Sequence, residues 1–600
     1  MPSTVSAATE VTGPLAPNTV WTIAGSPYRA AANVEVPAAG KLTIEPGVVV
    51  RFSKGGMIVR GTLIAQGTDA APIEMTSDAE QPQPGDWLGV RFEQTAVSAV
   101  LSQQNDYISG SILRHVKIEY GQGLLLNGAS PLVQQCKIRF NFNDIGGGIA
   151  CYNCRPVLLE STVEYNLADQ DGGGIRTIAC RPKILKCVVR HNAALQNGGG
   201  IAIDYSEAIL EGNTITHNQA RRGGGIATGE TALGQSFISG VAASKPVLTN
   251  NLISHNIARY SGGGVWIAGS PTLTGNLIVC NRVILPKNFD THPGRGVQED
   301  RTTGLGGGIY LEETYAGGAR IERNQIIGND GAFWGGGFAA RRASGTIKDN
   351  RFFGNRSSLA GGAISIRSDR SSAFGISKGH GADWNIHGNA VQQNTGGAIE
   401  IAPSPNSGGQ TIAVKGCLLD QNGDISLLNS SGSPLSAENC WWGSADKKTI
   451  DGLIVDFFDD QDRGKVTYSA AGEPLPLTVP DCSEERLRTW THRPTDVRGG
   501  LGFNRVPGSA PSFNVAWEQP DEAPFIAGYL LHVRRRWKEN VVAIPMNVAD
   551  GSFPLDVGQV SRRTVAGVTL GERYLISVTA YDKEGRESGV SDEIEILVDR

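Results

Sequence analysis

The chain has 600 residues and a formal net charge of −5, from 54 Lys and Arg against 59 Asp and Glu. It has no long basic run, which argues against a nucleic-acid partner, and no apolar stretch near the ~18 to 20 residues of a membrane helix. Glycine, at 78 of 600 residues, exceeds the usual ~7% and recurs at a period, which excludes a disordered glycine-rich tract.

Residues 1–34 read as an N-terminal segment that caps a long repeat region. The opening MPSTVSAATEVTGPL has neither a basic n-region nor an apolar h-region. Either the protein stays in the cytoplasm, or a removed signal peptide has been replaced by a start Met. The repeats favour the second reading, and with it an extracellular or cell-surface location.

From residue 35 to 470 one unit repeats. GGG followed by an apolar residue begins at Gly146, Gly172, Gly198, Gly223, Gly262, Gly306 and Gly335, with shortened GGAI versions at Gly361 and Gly396. The first three intervals, 146 to 172 to 198 to 223, are 26, 26 and 25 residues. Each unit continues with alternating apolar positions, a corner that is often Pro, and an Asn. Ten residues separate Pro131 from Asn141, Pro156 from Asn166, Pro182 from Asn192, Pro246 from Asn256 and Pro271 from Asn281. The Asn series also holds Asn218, Asn329, Asn355, Asn394 and Asn422. Five residues earlier stands a second column: Cys136, Ser161, Cys187, Asn213, Asn251, Asn276, Asn324, Asn350, Asn389 and Cys417. Short alternating segments between Gly, Pro and Asn are strands and turns, and a unit this short made only of strands is one coil of a solenoid. The two polar columns then sit at inner turns, where amides can bond from coil to coil. Glycine triplets mark a corner where a Cβ would meet the coil above or below.

Three smaller groups sit inside this frame. His191, His217 and His255 share a slot with Phe140 and Tyr165, which reads as a stacking ladder rather than a metal site. Cys154 and Cys180 share a slot in adjacent coils, a spacing compatible with a disulfide or with two buried thiols. The acidic run DFFDDQD (Asp456–Asp462) lacks the pattern of a calcium loop and reads as a polar cap, with surface calcium as the alternative.

The pattern resembles right-handed parallel β-helix proteins of the pectin-lyase-like class. LTIEPGVVVRF, GTLIAQGT, APIEMTS and GDWLGVRF, between Leu42 and Phe92, are similar to their opening coils, and NCWWGSAD (Asn439–Asp446) to their closing segment. The GGAI and Phe352-x-x-Asn355 spacings are also similar to passenger repeats of polymorphic outer-membrane adhesins. Residues 471–509 read as a linker. Residues 510–600, with Trp517 in an early strand and Tyr574-x-x-x-Val578-x-Ala580-Tyr581 in a later one, are similar to a fibronectin type III domain. The expected architecture is therefore all-β: a long right-handed parallel β-helix followed by a small β-sandwich.

Alternation from the residue after each triplet sends Arg176, Asp204, Trp266, Tyr310, Glu312, Arg341, Arg367 and Glu400 outward, with Trp334 just before its glycines. Aromatics among carboxylates and guanidiniums on one face suit an anionic polysaccharide. Trp266, Tyr310, Trp334 and Arg176 are the expected substrate-binding residues. Insertions at 229–244, 283–305 and 369–384 flank these coils and point to a site in the central third. If the face is catalytic, the resemblance implies a lyase before a hydrolase. Arg341 or Arg367 would then be the base or the neutralising cation, and Glu312 or Asp204 would offer calcium ligands. Glu400 and Glu312, several coils apart, are a poor pair for hydrolysis. The alternative is a non-catalytic adhesin-like or structural surface protein, with a polysaccharide or other cell-surface ligand as partner.

Overall fold

The structure, a computed structural model, describes residues 8–228, 244–285, 303–313, 318–367, 383–402, 412–474, 494–501, 511–519, 526–537, 542–545 and 554–598. The chain divides into two compact units, Met1–Val479 and Pro480–Arg600.

In the first unit a single coil explains the rest. Ile149–Tyr152, Val157–Leu159, Thr162–Glu164 and Leu167–Ala168 are four short strands, and the next coil opens at Ile175. Each strand pairs in parallel with its counterpart one coil on: Ile149 with Ile175, Val157 with Lys183, Thr162 with Val188, Leu167 with Ala193. The result is a right-handed parallel β-helix. Its second strands stack into a 16-stranded sheet and its fourth strands into an 8-stranded one. First and third strands form two further stacks, joined at the N-terminal end because Tyr28–Val36 pairs with both Val49–Phe52 and Met57–Val59. Thr9–Pro14 pairs in turn with that strand, so residues expected to lie over the solenoid as a cap contribute strands to it.

Alternation decides which side chains fill the interior. Ile149, Ile175, Ile201, Ile226, Val265, Ile309, Phe338, Ile364 and Ile399 form one inward column, none more than 1% exposed. At about 1.5–3 kcal/mol for each fully buried aliphatic side chain, such columns supply the main drive for coiling.

The corners are costly and are compensated locally. Glu160 and Tyr165 turn the chain in the left-handed region, at φ 51° and 55°, a conformation that costs a non-glycine residue about 1–2 kcal/mol. The residue after each provides the return. Asn166 Nδ2 donates to Ile138 O (2.9 Å) and to Asn192 Oδ1 (3.0 Å), and that same oxygen accepts from the Asn166 backbone N–H at 3.0 Å. The pattern runs unbroken from Asn141 to Asn422 through Asn218, Asn256, Asn281, Asn329, Asn355 and Asn394. The second column does the same from Asn213 to Asn389. Above it, Ser161 Oγ accepts from Cys136 N and Asn213 Oδ1 from Cys187 N.

The flat side chains stack, as their shared slot implies. Phe140, Tyr165, His191, His217 and His255 succeed one another at ring-centroid distances of 4.8–5.7 Å, and Tyr120 extends the column by one more ring. Cys154 and Cys180 bring their sulfurs to 3.7 Å as free thiols. Burial pushes the Cys136, Cys187 and Cys280 thiols up to about 12. In the acidic run, Asp456 accepts backbone N–H groups of Phe458 and Val466, and Asp459 accepts from Asp456 N. Asp456, which is buried, ties this turn to the following strand from within, while Asp459 lies at the surface.

The second unit is made of antiparallel strands. Ser512–Glu518 pairs with Thr495–Leu501 and with Arg562–Ala566. Gly528–Trp537 pairs with Arg573–Tyr581, Val542–Pro545 and Leu555–Gly558, and Ile594–Leu597 extends that sheet. Phe513, Trp517, Tyr529, Tyr574 and Val578 share one core. Thr495–Leu501 falls in the stretch expected to be linker. Its glycine and arginine content hid a strand that pairs with Ser512–Glu518. Among the described residues no helix is long and apolar enough to cross a membrane.

Two measurements check these physics. Asn218→Ala removes the acceptor of Asn192 N and Nδ2 and the donor to Val189 O. At 1–3 kcal/mol per orphaned buried group, destabilisation of about 3 kcal/mol is expected, read as a lower denaturant midpoint. The buried thiols keep their protons when folded and lose them above about 9 when unfolded, so the unfolded chain binds fewer protons between about 9 and 12. Stability should therefore fall as pH rises through that window, and thiol-specific reagents at pH 8 should label Cys136 and Cys187, each 1% exposed, only after unfolding.

Candidate functional site

The expected site lies on the outer face of the first strands, and the glycine triplets decide the form of that face. A Cβ on Gly172, where φ is +70°, would stand 2.6 Å from Ile175 O and 2.7 Å from the Arg176 Cβ. The first glycine therefore presses on the outside of the strand it precedes. A Cβ on Gly173 would meet Ala193 O and Gly199 O, both at 2.4 Å, and one on Gly174 would meet Gly200 O at 2.7 Å and the Asn192 amide at 3.0 Å. The second and third glycines thus face the neighbouring coil, as their sequence position implies, while the first faces its own strand.

Because the chain folds back there, the residue before each triplet becomes a lip over the outer face. Asp171, Asn197, Arg222, Ser261, Leu305 and Trp334 occupy this position, linked by isolated parallel bridges such as Ser261 with Leu305 and Leu305 with Trp334. Outward side chains are covered by it. Trp266, Leu305, Tyr310 and Ala339 form a buried apolar cluster with Trp334 packed against it, and the Arg222 guanidinium lies 5.7 Å from the Trp266 ring centroid.

The nine expected residues accordingly divide into two groups. Arg176, Asp204, Trp266, Tyr310, Arg341 and Glu400 are buried, and only Glu312, Trp334 and Arg367 are partly exposed. Alternation gave their direction correctly, but outward does not mean open to solvent here. Trp266, at 5%, and Tyr310, at 0%, offer no ring face to a sugar. Arg176 is closed in an ion-pair triad, Nη2 to Asp204 at 2.9 Å and Nη1 to Asp171 at 3.1 Å. Calcium at Asp204 would have to displace that guanidinium.

Around the central coils the structure does bring groups together. Arg367 Nη1 donates to Glu400 Oε1 at 2.7 Å, and Ser365 Oγ donates to Glu400 Oε2 at 2.6 Å. The Arg367 guanidinium also lies 4.3 Å from the Trp334 ring centroid, a cation–π contact. One coil earlier in register, Arg341 stands beside Arg367. Burial lifts the Tyr310 phenol well above its ordinary value, with Glu312 adding to the lift and Arg341 and Arg342 opposing it. Glu312 faces Arg342, Oε1 to Nη2 at 3.7 Å, with both side chains partly exposed. Glu312 and Glu400 stand three coils apart along the column Ile309, Phe338, Ile364, Ile399, which leaves them unsuited to act across one glycosidic bond.

Asp171 and Arg342 are the members that alternation along one strand could not find, whereas Ser365 shares the outward parity of Arg367 and was passed over. Asp171 is legible as the residue before a triplet, and Ser365 as the vertical neighbour of Glu400 one coil earlier. Arg342 carries no such signal, since it turns the chain at φ 52° just after its strand. The insertions at 229–244, 283–305 and 369–384 lie mostly outside the described residues, which take in 244, 283–285, 303–305 and 383–384.

The family described as the right-handed beta helix region matches residues 122–441. No curated protein matches the chain. Among solved structures, the chain is similar to a mutant of the periplasmic alginate epimerase AlgG, at 11% identity over 74% of this chain and 76% of that one, with a TM-score of 0.30. It is also similar to the bacteriophage CBA120 tailspike protein 3, at 10% identity, 84% and 62% coverage and a TM-score of 0.23. A fibronectin type III domain of the human fibronectin type III domain containing protein 3 aligns at 18% identity over 18% of this chain and 85% of that one, with a TM-score of 0.13.

The two groups should respond differently to charge removal. Asp204→Ala leaves a buried guanidinium short of one carboxylate, and a loss of about 3–5 kcal/mol is expected. Glu312→Ala breaks a longer, partly exposed pair and should cost less than about 1 kcal/mol. Thermal midpoints of the two variants check the contrast.

Proposed function

The chain belongs to the right-handed β-helix family, and on that footing we propose that it is a secreted or cell-surface protein that binds an anionic polysaccharide along the outside of its coils. The observation that carries this reading is Arg367. Its guanidinium is partly exposed, held from behind by Glu400 and steadied from the side by Trp334. A guanidinium fixed in this way loses little freedom on meeting a carboxylate or sulfate, and its planar fork matches either group. Arg342, partly exposed opposite Glu312, supplies a second cation nearby.

Binding is favoured over cleavage by the state of the other groups. A lyase needs a base that reaches the sugar's α-proton. Tyr310 and Arg341 are buried, and Glu400 is engaged by both Ser365 and Arg367. The C-terminal unit, with Trp517 and Tyr574 in its core, is read as a fibronectin type III-like docking module.

The test is incubation with uronic-acid polysaccharides, with calcium and with chelator, monitored by ultraviolet absorbance and by affinity electrophoresis. Retarded migration without a rise in absorbance is expected, with retardation reduced by Arg367→Gln combined with Arg342→Gln. A rise in absorbance would establish a lyase instead. Unretarded migration across the panel would leave a structural rod.

A further inference from the structure

The corner before the second strand carries a charge pattern that the outer face of the first strands does not. Arg155, Arg181, Glu207 and Lys245 each stand two residues before the first residue of that strand, in four successive coils. The strand residues they precede, Val157, Lys183, Ile209 and Val247, pair in register from coil to coil. Corner and strand together line an open cleft of about 620 Å³.

The cleft has a floor, a wall and a rim. Ile209 and Val247 form the floor and remain 39% and 37% exposed although aliphatic. An antiparallel hairpin, Val100–Leu101 with Tyr107–Ser109, makes the wall. Leu101 and Tyr107 of this hairpin pack against the Ile112, Leu132 and Val157 cluster, and Asn105 Oδ1 accepts from Lys183 Nζ at 3.0 Å. The rim is cationic. Arg155, Arg181, Lys183 and Lys245 face one carboxylate, Glu207, which pairs with Arg181 at 3.0 Å. Four positive charges against one negative, on a chain whose net charge is −5, make this a locally positive track on an acidic protein.

We propose that this cleft is a binding site for a linear anionic polysaccharide lying parallel to the axis along which the coils stack. Coils recur every ~4.8 Å, so the track from Arg155 to Lys245 spans about 14 Å. A uronan or sulfated glycan with about one anionic group per ring presents charge at a similar repeat, and Arg binds such groups through two parallel N–H bonds. The aliphatic floor meets the C–H faces of pyranose rings. It lacks the aromatic platform that single-stranded nucleic acid stacks on. Strand addition by an acidic peptide is also disfavoured, because the second strands are paired on both sides within their stack. The choice of ligand class rests on the function proposed above, but the location is independent of the central coils.

The experiment is calorimetric titration of the full chain with hexagalacturonate, and with hexaglutamate as the polyanion control. Arg155→Gln combined with Lys245→Gln changes two exposed residues, so the thermal midpoint should stay at the wild-type value. Hexagalacturonate affinity is expected to fall about tenfold, and Ile209→Glu, which puts a carboxylate in the floor, should weaken it further. Unchanged affinity in these variants, with loss in Arg342→Gln/Arg367→Gln, would overturn the cleft and leave the function intact. Absence of hexagalacturonate binding by the wild type would overturn both. Equal binding of hexaglutamate, lost in the same cleft variants, would overturn the sugar as ligand.

Discussion

The solenoid depends on one contact, the bond between the side-chain amide of one turn and the turn of the next coil. Asn166 illustrates how much that amide does. It joins its own coil to the carbonyl of Ile138 behind and to Asn192 ahead. It comes directly after Tyr165, whose left-handed backbone would be unfavourable without compensation. It also occupies the space into which a side chain on Gly148 would project, 2.9 Å from where that Cβ would stand. The glycine triplets and the asparagine columns are therefore two halves of one device. Each triplet is bare because an amide and a neighbouring backbone fill the space beside it.

This coupling explains why so much of the fold was legible. The two polar columns stay five residues apart even where insertions stretch a coil, as at Asn251 and Asn256 or Asn324 and Asn329. Asn281 and Asn329 are 48 residues apart and still form the same bond as Asn141 and Asn166. The aromatic and imidazole column could be read for the same reason, since its slot lies one residue before the ladder position. Coverage, by contrast, left no trace in the sequence. Tyr310 points outward as alternation requires, yet the lip carrying Leu305 and Trp334 buries it. The cationic corner was visible in CRP at Cys154–Pro156, CRPK at Cys180–Lys183 and KP at Lys245–Pro246. Its meaning needed the hairpin wall, which is remote in the chain.

The chemistry of the outer surface derives from the same layering. Charges under the lip, such as Arg176 with Asp171 and Asp204, are paired tightly and hold the lip down. Charges that emerge past it, Arg367 and Arg342, are oriented by partners and keep part of their surface. At the other corner no lip forms among the described residues, and Arg155, Arg181 and Lys245 stand exposed around an aliphatic floor. A single coil design thus yields one face that is largely covered and one that is more open, set by the loop that precedes each strand.

The ladder also has a direction. In each amide-to-amide bond of the column, Nδ2 donates to the Oδ1 of the C-terminal neighbour, from the Asn141–Asn166 bond to the Asn394–Asn422 bond. Since each step uses the same donor and acceptor, a coil copied whole between two others would find both of its bonds already waiting. Length is then a free variable in this architecture. Tandem duplication of a gene segment of about one coil can lengthen the solenoid without redesigning its interior, since the features that must be kept are few: the units beginning at Gly146, Gly172 and Gly198 share the GGGI opening and a ladder Asn 20 residues on.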